Sequence, residues 1–335
     1  MGFGQNFTSL MAFSHYADGQ WQAIDIRPLS EFNLTPASHV LHYASTCFEG
    51  LKAYRWADGG IRLFRYRDNI RRLRASAKAL CLPIPDEAML EDMIKQAVLA
   101  VESEIPELPK SLYIRPTLIG TEDNIGAAGK AAKEAYLYIM TSPVGDYFSG
   151  GIRPLKILID EINMRSTPTF GQVKTGGNYA AALSSVTRAR EQYGADQVLY
   201  CPQGNVQETG AANFFVLKGK TLITKKLDGS ILPGITRDSI IQLANNQGFE
   251  TIECDFSVDE LITWLPDSEA FLSGTAAVIS PVGHLIHNNE TLPVGDGEIG
   301  RQTLAFREEL TAIQNGHQSD NFSWVTLISS NVKKM

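Results

Sequence analysis

A lysine, one spacer and two glycines, in the order Val173-Lys174-Thr175-Gly176-Gly177-Asn178-Tyr179, stand just before a helix-forming segment at residues 180–191. With no side chain at Gly176 and Gly177, the backbone can turn sharply and come close to a bulky ligand that a Cβ would hold off. The chain is thereby confined to a tight entry into the helix that presents Lys174 at the turn. A lysine placed there is positioned like an amine that condenses with an aldehyde. Alone, Lys-x-Gly-Gly does not separate that role from a solvated surface lysine, because most lysines are exposed.

Three further features narrow the reading. Glu208 lies in Val206-Gln207-Glu208-Thr209-Gly210, beyond an apparent hairpin turn at Pro202-Gln203-Gly204-Asn205. A lysine for an aldehyde and a carboxylate for a pyridinium nitrogen are the pair that pyridoxal phosphate requires. Next, Leu232-Pro233-Gly234-Ile235-Thr236-Arg237-Asp238 leads into a segment apolar at helical spacing, with Gly248 as a stop. The backbone N–H groups of Ile235 and Thr236 would then sit at a helix N-terminus, where an anion is favoured. An ordinary Pro-Gly turn before a helix reads the same way. Last, the small residues Ser273-Gly274-Thr275-Ala276-Ala277 follow the strand-like run Glu269-Ala270-Phe271-Leu272 and suit close approach to a phosphate or carboxylate.

In this order the motifs resemble the branched-chain amino-acid aminotransferases, pyridoxal-phosphate enzymes of fold type IV. The resemblance covers nearly the whole chain. It begins at Leu41-His42-Tyr43 and Phe48-Glu49-Gly50-Leu51-Lys52-Ala53-Tyr54, passes through Tyr113-Ile114-Arg115-Pro116, and ends near Ile313-Gln314-Asn315-Gly316. It implies a two-domain α/β (α+β) chain with pyridoxal 5′-phosphate in an interdomain cleft. The implied reaction is reversible amino transfer between L-leucine, L-isoleucine or L-valine and 2-oxoglutarate, with glutamate and the branched 2-oxo acids as products.

The resemblance also implies roles. Lys174 carries the cofactor covalently and moves the proton at Cα, Glu208 meets the pyridine nitrogen, and Tyr179 lies beside the phenolic oxygen. Arg72, Ile235, Thr236 and Thr275 hold the phosphate, and Arg165 stands near a family arginine that precedes the lysine. Arg71 and Arg72 are adjacent on a helix and point about 100° apart, so only one can face the cofactor. For substrate, Tyr113 and Arg115 fall on one face of a strand-like run, and the family uses that pair on a carboxylate. Tyr43, Phe48, Gly50, Thr275 and Ala276 match substrate-pocket positions, with Gly50 leaving room for an aliphatic group. Tyr147 is expected on an interdomain loop that closes over the pocket. For Tyr43, Phe48 and Tyr147, ordinary aromatic packing is the alternative.

The chain departs from the family at several points. Ala277 and Ser280 occupy the places of a Cys-x-x-Cys found in eukaryotic-type members, so the thiol switch proposed for those members cannot operate here. Ala127 stands where many members have valine, and Ala211 replaces a threonine. Within the same fold, the alternatives are a D-amino-acid or amine transaminase, or an aminodeoxychorismate lyase. They do not share Tyr43, Phe48, Gly50, Lys52, Tyr113 and Arg115 as a set. A non-catalytic binding paralogue would be expected to have lost Lys174 or Glu208.

Bulk properties agree with a globular enzyme. The 335 residues are 44% hydrophobic and 20% charged, enough for two packed domains. A net charge of −7 argues against nucleic acid or an anionic membrane as partner. No apolar run of about eighteen residues and no leader-like N-terminus appear, so a cytoplasmic, non-membrane protein is expected. Cys47, Cys81, Cys201 and Cys254 are dispersed, which predicts buried, reduced thiols. His39 with His42 and His284 with His287 read as strand or turn residues without further ligands nearby, so no metal is expected. A homodimer or higher homo-oligomer is the expected assembly.

Along the chain, residues 1–142 read as a small N-terminal domain, 143–151 as the interdomain loop, and 152–335 as the larger domain carrying the lysine. Strands are predicted at 61–64, 112–120, 135–141, 155–159, 197–200 and 213–217. Helices are predicted from an Asp68 N-cap to about 80, over 87–102, and over 300–314, with a capping box starting at Ser257.

Overall fold

The computed structural model describes residues 3–145 and 151–329. These form two compact units: residues 1–149 with 173–176 and 313–335, and residues 150–172 with 177–312. The expected position of Tyr147 lies outside the described residues.

The first unit opens with β1 (Leu10–Ala17), β2 (Gln20–Trp21) and β3 (Asp25–Pro28), then a one-turn helix α1 (His39–Tyr43). Strands β4 (Thr46–Phe48), β5 (Leu51–Arg55) and β6 (Ile61–Phe64) follow. Helices α2 (Tyr66–Ala79) and α3 (Glu87–Ala100) precede the long strands β7 (Ser111–Gly120) and β8 (Ala135–Val144). β7 is the hub of the sheet, pairing antiparallel with β4, β5 and β8. Its residues are buried on both faces except Arg115, which is half-buried. A near-continuous apolar strand of that kind needs cover on both sides.

Helices α2 and α3 supply much of that cover. In α2, Ile70, Leu73 and Ala77 recur at helical spacing, and in α3 Leu90, Met93, Ile94, Ala97 and Val98 do the same. They join Leu51, Ala53, Ile61, Leu63, Leu112, Ile114, Leu118, Leu137 and Ile139 in one core. The expected Asp68 N-cap is displaced. Arg65 adopts a left-handed conformation (φ 48°) and starts α2 three residues before Asp68 becomes available as a cap. Asp68 instead sits in the first turn, where a carboxylate is favoured by the helix dipole, paired with Arg65 at 2.7 Å and with Arg71. His39 and His42 also differ from expectation: they lie on α1, not on a strand or irregular turn.

In the second unit, β9 (Leu155–Asp160), α4 (Gly176–Tyr193, from its second residue) and β10 (Gln197–Tyr200) form a parallel crossover. There follow β11 (Asn213–Lys218), β12 (Thr221–Lys225), α5 (Ile235–Asn246), β13 (Glu250–Cys254) and α6 (Val258–Trp264). The unit's strands end with β14 (Glu269–Gly274), β15 (Val278–His287) and β16 (Glu290–Pro293). The sheet runs β10-β9-β15-β14-β11-β12-β13, with β16 on β15, and mixes parallel and antiparallel pairs. Ala182 and Ala189 of α4 pack on Leu158, Val198, Tyr200 and Ile286. The Ser257 capping box is present with both of its reciprocal bonds. α7 (Arg301–Asn315) begins in this unit, burying Phe306 against Phe271, and its last turn belongs to the first unit, as does β17 (Val325–Ser329) paired with β6.

All four cysteines are free, but not all are buried. Cys81 is exposed, because it occupies a left-handed turn residue (φ 53°) just past the end of α2. Burial, with the Glu49 charge beside it, pushes the Cys47 thiol far up, and burial near Glu161 does the same to Cys201. Thiolate is the reactive form. Native protein treated with a thiol reagent at neutral pH should therefore modify at Cys81 first, while Cys47 and Cys201 react only on unfolding. Peptide mapping of the adduct checks this. In the middle of the same helix, Leu73→Ala should cost about 2–5 kcal/mol because Leu73 is fully packed. Arg71→Ala, whose side chain is 61% exposed, should change denaturation far less.

Candidate active site

Lys174 belongs to the first unit, within residues 173–176, although the chain before and after that segment belongs to the second. Four contacts fix the backbone of Lys174 and its neighbour Thr175. The Phe48 N–H donates to the Lys174 carbonyl at 3.1 Å, and Cys47 and Thr175 form an isolated antiparallel β-bridge. The Thr175 hydroxyl donates to the Thr46 carbonyl at 2.7 Å, and the Lys174 N–H donates to Ser76 Oγ on α2 at 3.0 Å. The lysine is thus held by main-chain bonds to β4 and by one helix side chain. Its Nζ lies 5.0 Å from the centre of the Phe48 ring.

Around it the first unit gathers Phe48, Glu49, Arg72, Tyr113 and Arg115. Arg115 Cζ is 4.7 Å from the Phe48 ring centre, and its Nη2 donates to Tyr113 Oη at 2.9 Å. Arg115 Nε is buried with no hydrogen-bond partner among the described residues. Arg115 and Tyr113 line a cavity of about 250 Å³ with Phe3, Phe7 and Met140. A Cβ on Gly50 would stand 2.1 Å from Tyr113 Oη. The space that Gly50 leaves is therefore filled by the Tyr113 hydroxyl, a different use from the room for an aliphatic group expected from sequence. Tyr43, at the end of α1, packs on His39 and donates its hydroxyl to the Ile125 carbonyl.

Arg72 faces inward and Arg71 outward, with side-chain exposures of 9% and 61%. Arg72 Nε and Nη2 fork onto Glu49 at 2.7 and 2.8 Å. Glu49, with 0% exposure, also accepts Asn69 Nδ2 at 2.8 Å. Burial by itself would raise the Glu49 pKa. The Arg72 charge and hydrogen bonds, the Lys174 charge and the Asn69 bond outweigh it and hold the carboxyl below its ordinary value. Sequence reasoning missed Glu49. The available signal was an acidic residue inside the otherwise uncharged run Thr46-Cys47-Phe48-Glu49-Gly50-Leu51.

The second unit arranges its own group around Glu208, which is 2% exposed. Oε1 accepts the Leu232 N–H at 2.9 Å and pairs with Arg165 Nη2 at 2.5 Å, while Oε2 accepts Asn213 Nδ2 at 2.7 Å. Arg165 also donates to the Gly171 carbonyl at 2.7 Å, and its Nε is buried without a hydrogen-bond partner among the described residues. Asn213, likewise missed, also donates to the Leu232 carbonyl at 2.9 Å. A Cβ on Gly234 would fall 2.0 Å from Asn213 Oδ1, so glycine is required where the chain enters α5. Ile235 is the first residue of α5 and Thr236 is buried. Arg237 turns away to the Lys225 carbonyl at 2.7 Å and to Glu253. Thr275 and Ala276 form the turn between β14 and β15, next to a buried Ser273 hydroxyl with no partner. Tyr179 lies in the first turn of α4.

The donor chemistry of these groups fits pyridoxal 5′-phosphate. A strand-held lysine suits the aldehyde, a buried carboxylate suits a ring nitrogen, and an arginine and a helix N-terminus opened by glycine suit a phosphate. A fold type IV aminotransferase is the class these features define. A sequence profile for amino-transferase class IV matches residues 46–285. The branched-chain-amino-acid aminotransferase of Mycolicibacterium smegmatis is 38% identical, over 98% of this chain and 92% of its own. Branched-chain-amino-acid aminotransferase 2 of Bacillus subtilis is 39% identical, over 98% of this chain and 93% of its own. A crystal structure of the branched-chain amino acid aminotransferase from Escherichia coli superposes with a TM-score of 0.77 at 27% identity, over 95% of this chain and all of the other. A second solved branched-chain amino acid aminotransferase, with pyridoxamine 5′-phosphate, superposes with a TM-score of 0.80 at 27% identity. That match covers 97% of this chain and all of the other. The chain belongs to the branched-chain-amino-acid aminotransferase family of the class IV aminotransferases.

The depressed Glu49 pKa gives stability a defined pH dependence. The unfolded carboxyl titrates near 4.3, so the fork contributes fully above about pH 5 and is lost as acid protonates Glu49 in the native state. Wild type and Glu49→Gln compared by chemical denaturation should differ by a constant gap at neutral pH that closes below about pH 4. A gap independent of pH would mean that the Glu49 pKa is the same in the folded and unfolded protein, and a gap that shrinks as pH rises above the unfolded value would mean that Glu49 is neutral in the native protein.

Proposed function

We infer that this chain catalyses reversible amino transfer between L-leucine, L-isoleucine or L-valine and 2-oxoglutarate. The observation that carries the reading is the buried Glu208, locked by Arg165, Asn213 and the Leu232 N–H in a chain of this family. A carboxylate so enclosed, with an arginine on one oxygen, stays where it is put. Its use is to hold a proton on a ring nitrogen through a charge-assisted bond. Bound pyridoxal phosphate supplies an aldehyde that carries the amino group and a ring that takes up the electrons of the broken Cα–H bond.

The chain's own residues do the rest. Lys174 would hold the cofactor covalently and, as a free amine, would move the proton at the substrate Cα. The main-chain bonds to Phe48 and Ser76 support this double use, since they hold the lysine's backbone while its side chain changes partners. Arg72, Ile235, Thr236 and Thr275 hold the phosphate and so fix the ring, which is a positioning effect. Arg115, with Tyr113 on its Nη2 and an unpartnered buried Nε, binds a substrate carboxylate. Phe48 and Tyr43 keep the substrate side chain in apolar surroundings. The same reading carries a cytoplasmic homodimer or larger homo-oligomer, for which sizing in solution is the test.

A panel of L- and D-amino acids and simple amines, followed by half-transamination spectra, tests the assignment. L-leucine, L-isoleucine, L-valine and L-glutamate should each convert the cofactor, and D-alanine should not. Faster conversion by a D-amino acid or an amine would overturn the reading. Lys174→Ala should lose both turnover and the borohydride-trappable adduct, with the fold intact. Glu208→Gln should reduce turnover by a far larger factor than it reduces cofactor affinity. Equal losses would make Glu208 an anchor and nothing more.

A further inference from the structure

We propose that Glu49 is a positioning residue that pre-organises Arg72 for the cofactor's phosphate, an inference that rests on the reading of Arg72 as a phosphate ligand. Glu49 is fully buried and its carboxylate is satisfied on every side. It takes Arg72 Nε at 2.7 Å, Arg72 Nη2 at 2.8 Å, Asn69 Nδ2 at 2.8 Å and the Gly50 N–H at 3.2 Å. Its own N–H donates to the Pro116 carbonyl at 2.8 Å, which ties the residue to β7. The carboxylate is therefore a fixed part of the sheet, and the guanidinium is docked on it in a two-point fork.

A fork of this kind determines orientation as well as charge, because both the plane and the edge of the guanidinium are set. With Nε and Nη2 docked on Glu49, the direction in which the rest of the guanidinium points is set. Asn69, Arg72 and Ser76 lie three and four residues apart and share one face of α2. Asn69 and Arg72 hold Glu49, and Ser76 accepts the Lys174 N–H at 3.0 Å. One helical stripe thus sets both the anion-binding arginine and the lysine, so an error in one would be felt at the other.

Two physical effects of Glu49 oppose each other, and their signs separate the proposal from its rival. As a bare negative charge, Glu49 repels a phosphate, so removing it would tighten anion binding. As a template for Arg72, it favours binding, because an arginine released from the fork must be ordered again when the anion arrives. The completeness of the carboxylate's hydrogen bonding and its burial favour the template.

The experiment uses the purified apoenzyme in five forms: wild type, Glu49→Gln, Glu49→Asp, Arg72→Met, and the Glu49→Gln/Arg72→Met double variant. Affinities for pyridoxal 5′-phosphate, for pyridoxal, which lacks the phosphate, and for inorganic phosphate are measured by calorimetry. Glu49→Gln should weaken both phosphate-bearing ligands by about tenfold or more, the scale of a lost charge-assisted bond, and leave pyridoxal nearly unchanged. Glu49→Asp, which keeps the charge but shortens the reach, should fall between wild type and Glu49→Gln. It decides the matter on the same comparison if Glu49→Gln does not fold. In the Arg72→Met background, Glu49→Gln should have little further effect on phosphate. Unchanged or tighter phosphate binding in Glu49→Gln, with Arg72→Met still impaired, would overturn the proposal, as would an equal loss for pyridoxal. If Arg72→Met itself left phosphate affinity intact, the reading of Arg72 would fail first, and the proposal with it.

Discussion

The pairing of Lys174 and Thr175 with β4 is the constraint on which the rest of the lysine's surroundings depends. Residues 173–176 leave the second unit's chain for the first unit, bridge to β4 through Thr175, and return at Gly177 within α4. Backbone N–H and C=O groups inside a protein must be paired, and here they are paired with Phe48, Thr46 and Ser76. The register of these bonds, more than any contact of the side chain, determines where the amine emerges. It also explains why a short spacer and two glycines follow the lysine. The chain has to leave a strand-like pairing and start a helix within a few residues.

Two buried carboxylates, one in each unit, each carry an arginine. Glu49 with Arg72 and Glu208 with Arg165 are alike in burial, and each carboxylate is held by several bonds besides its arginine. Buried ion pairs of this sort add little net stability, because desolvation offsets the Coulomb attraction, yet breaking one partner costs about 3–5 kcal/mol. Their presence is better explained by geometry than by stability. Each holds a group of fixed charge at a fixed orientation, which chemistry on a bound cofactor requires. The two units reach this by different means. In the first, a helix stripe delivers the arginine to a carboxylate between β4 and β5. In the second, Arg165 arrives from the irregular chain after β9 to meet a carboxylate at the hairpin beyond β10.

Local pattern and local chemistry were legible in the chain. The apolar periodicity of α3, the alternation of β6, the capping box at Ser257 and the glycines beside Lys174 each involve residues within one or two turns of one another. Their physical effect does not wait on the rest of the fold. The same is true of Lys174 and Glu208 as candidates, since a lysine before two glycines and a carboxylate after a hairpin are properties of short segments. Their ordered combination with the other motifs carried the family.

What only the tertiary structure decided depends on partners far along the chain. Helical geometry allowed one of Arg71 and Arg72 to face inward, and the choice fell to Arg72 because Glu49 waits there, twenty-three residues away. Glu49 itself looked like any acidic residue until burial and the Arg72 fork gave it a role. Arg165 was tied to Glu208, Tyr113 filled the space over Gly50, and Cys81 was turned to solvent by a left-handed residue after α2. Local sequence sets the turns and periodicities because those forces act over a few bonds. Burial, ion pairing and the facing of a side chain are settled only when distant segments pack, since desolvation and charge attraction act through space and not along the chain.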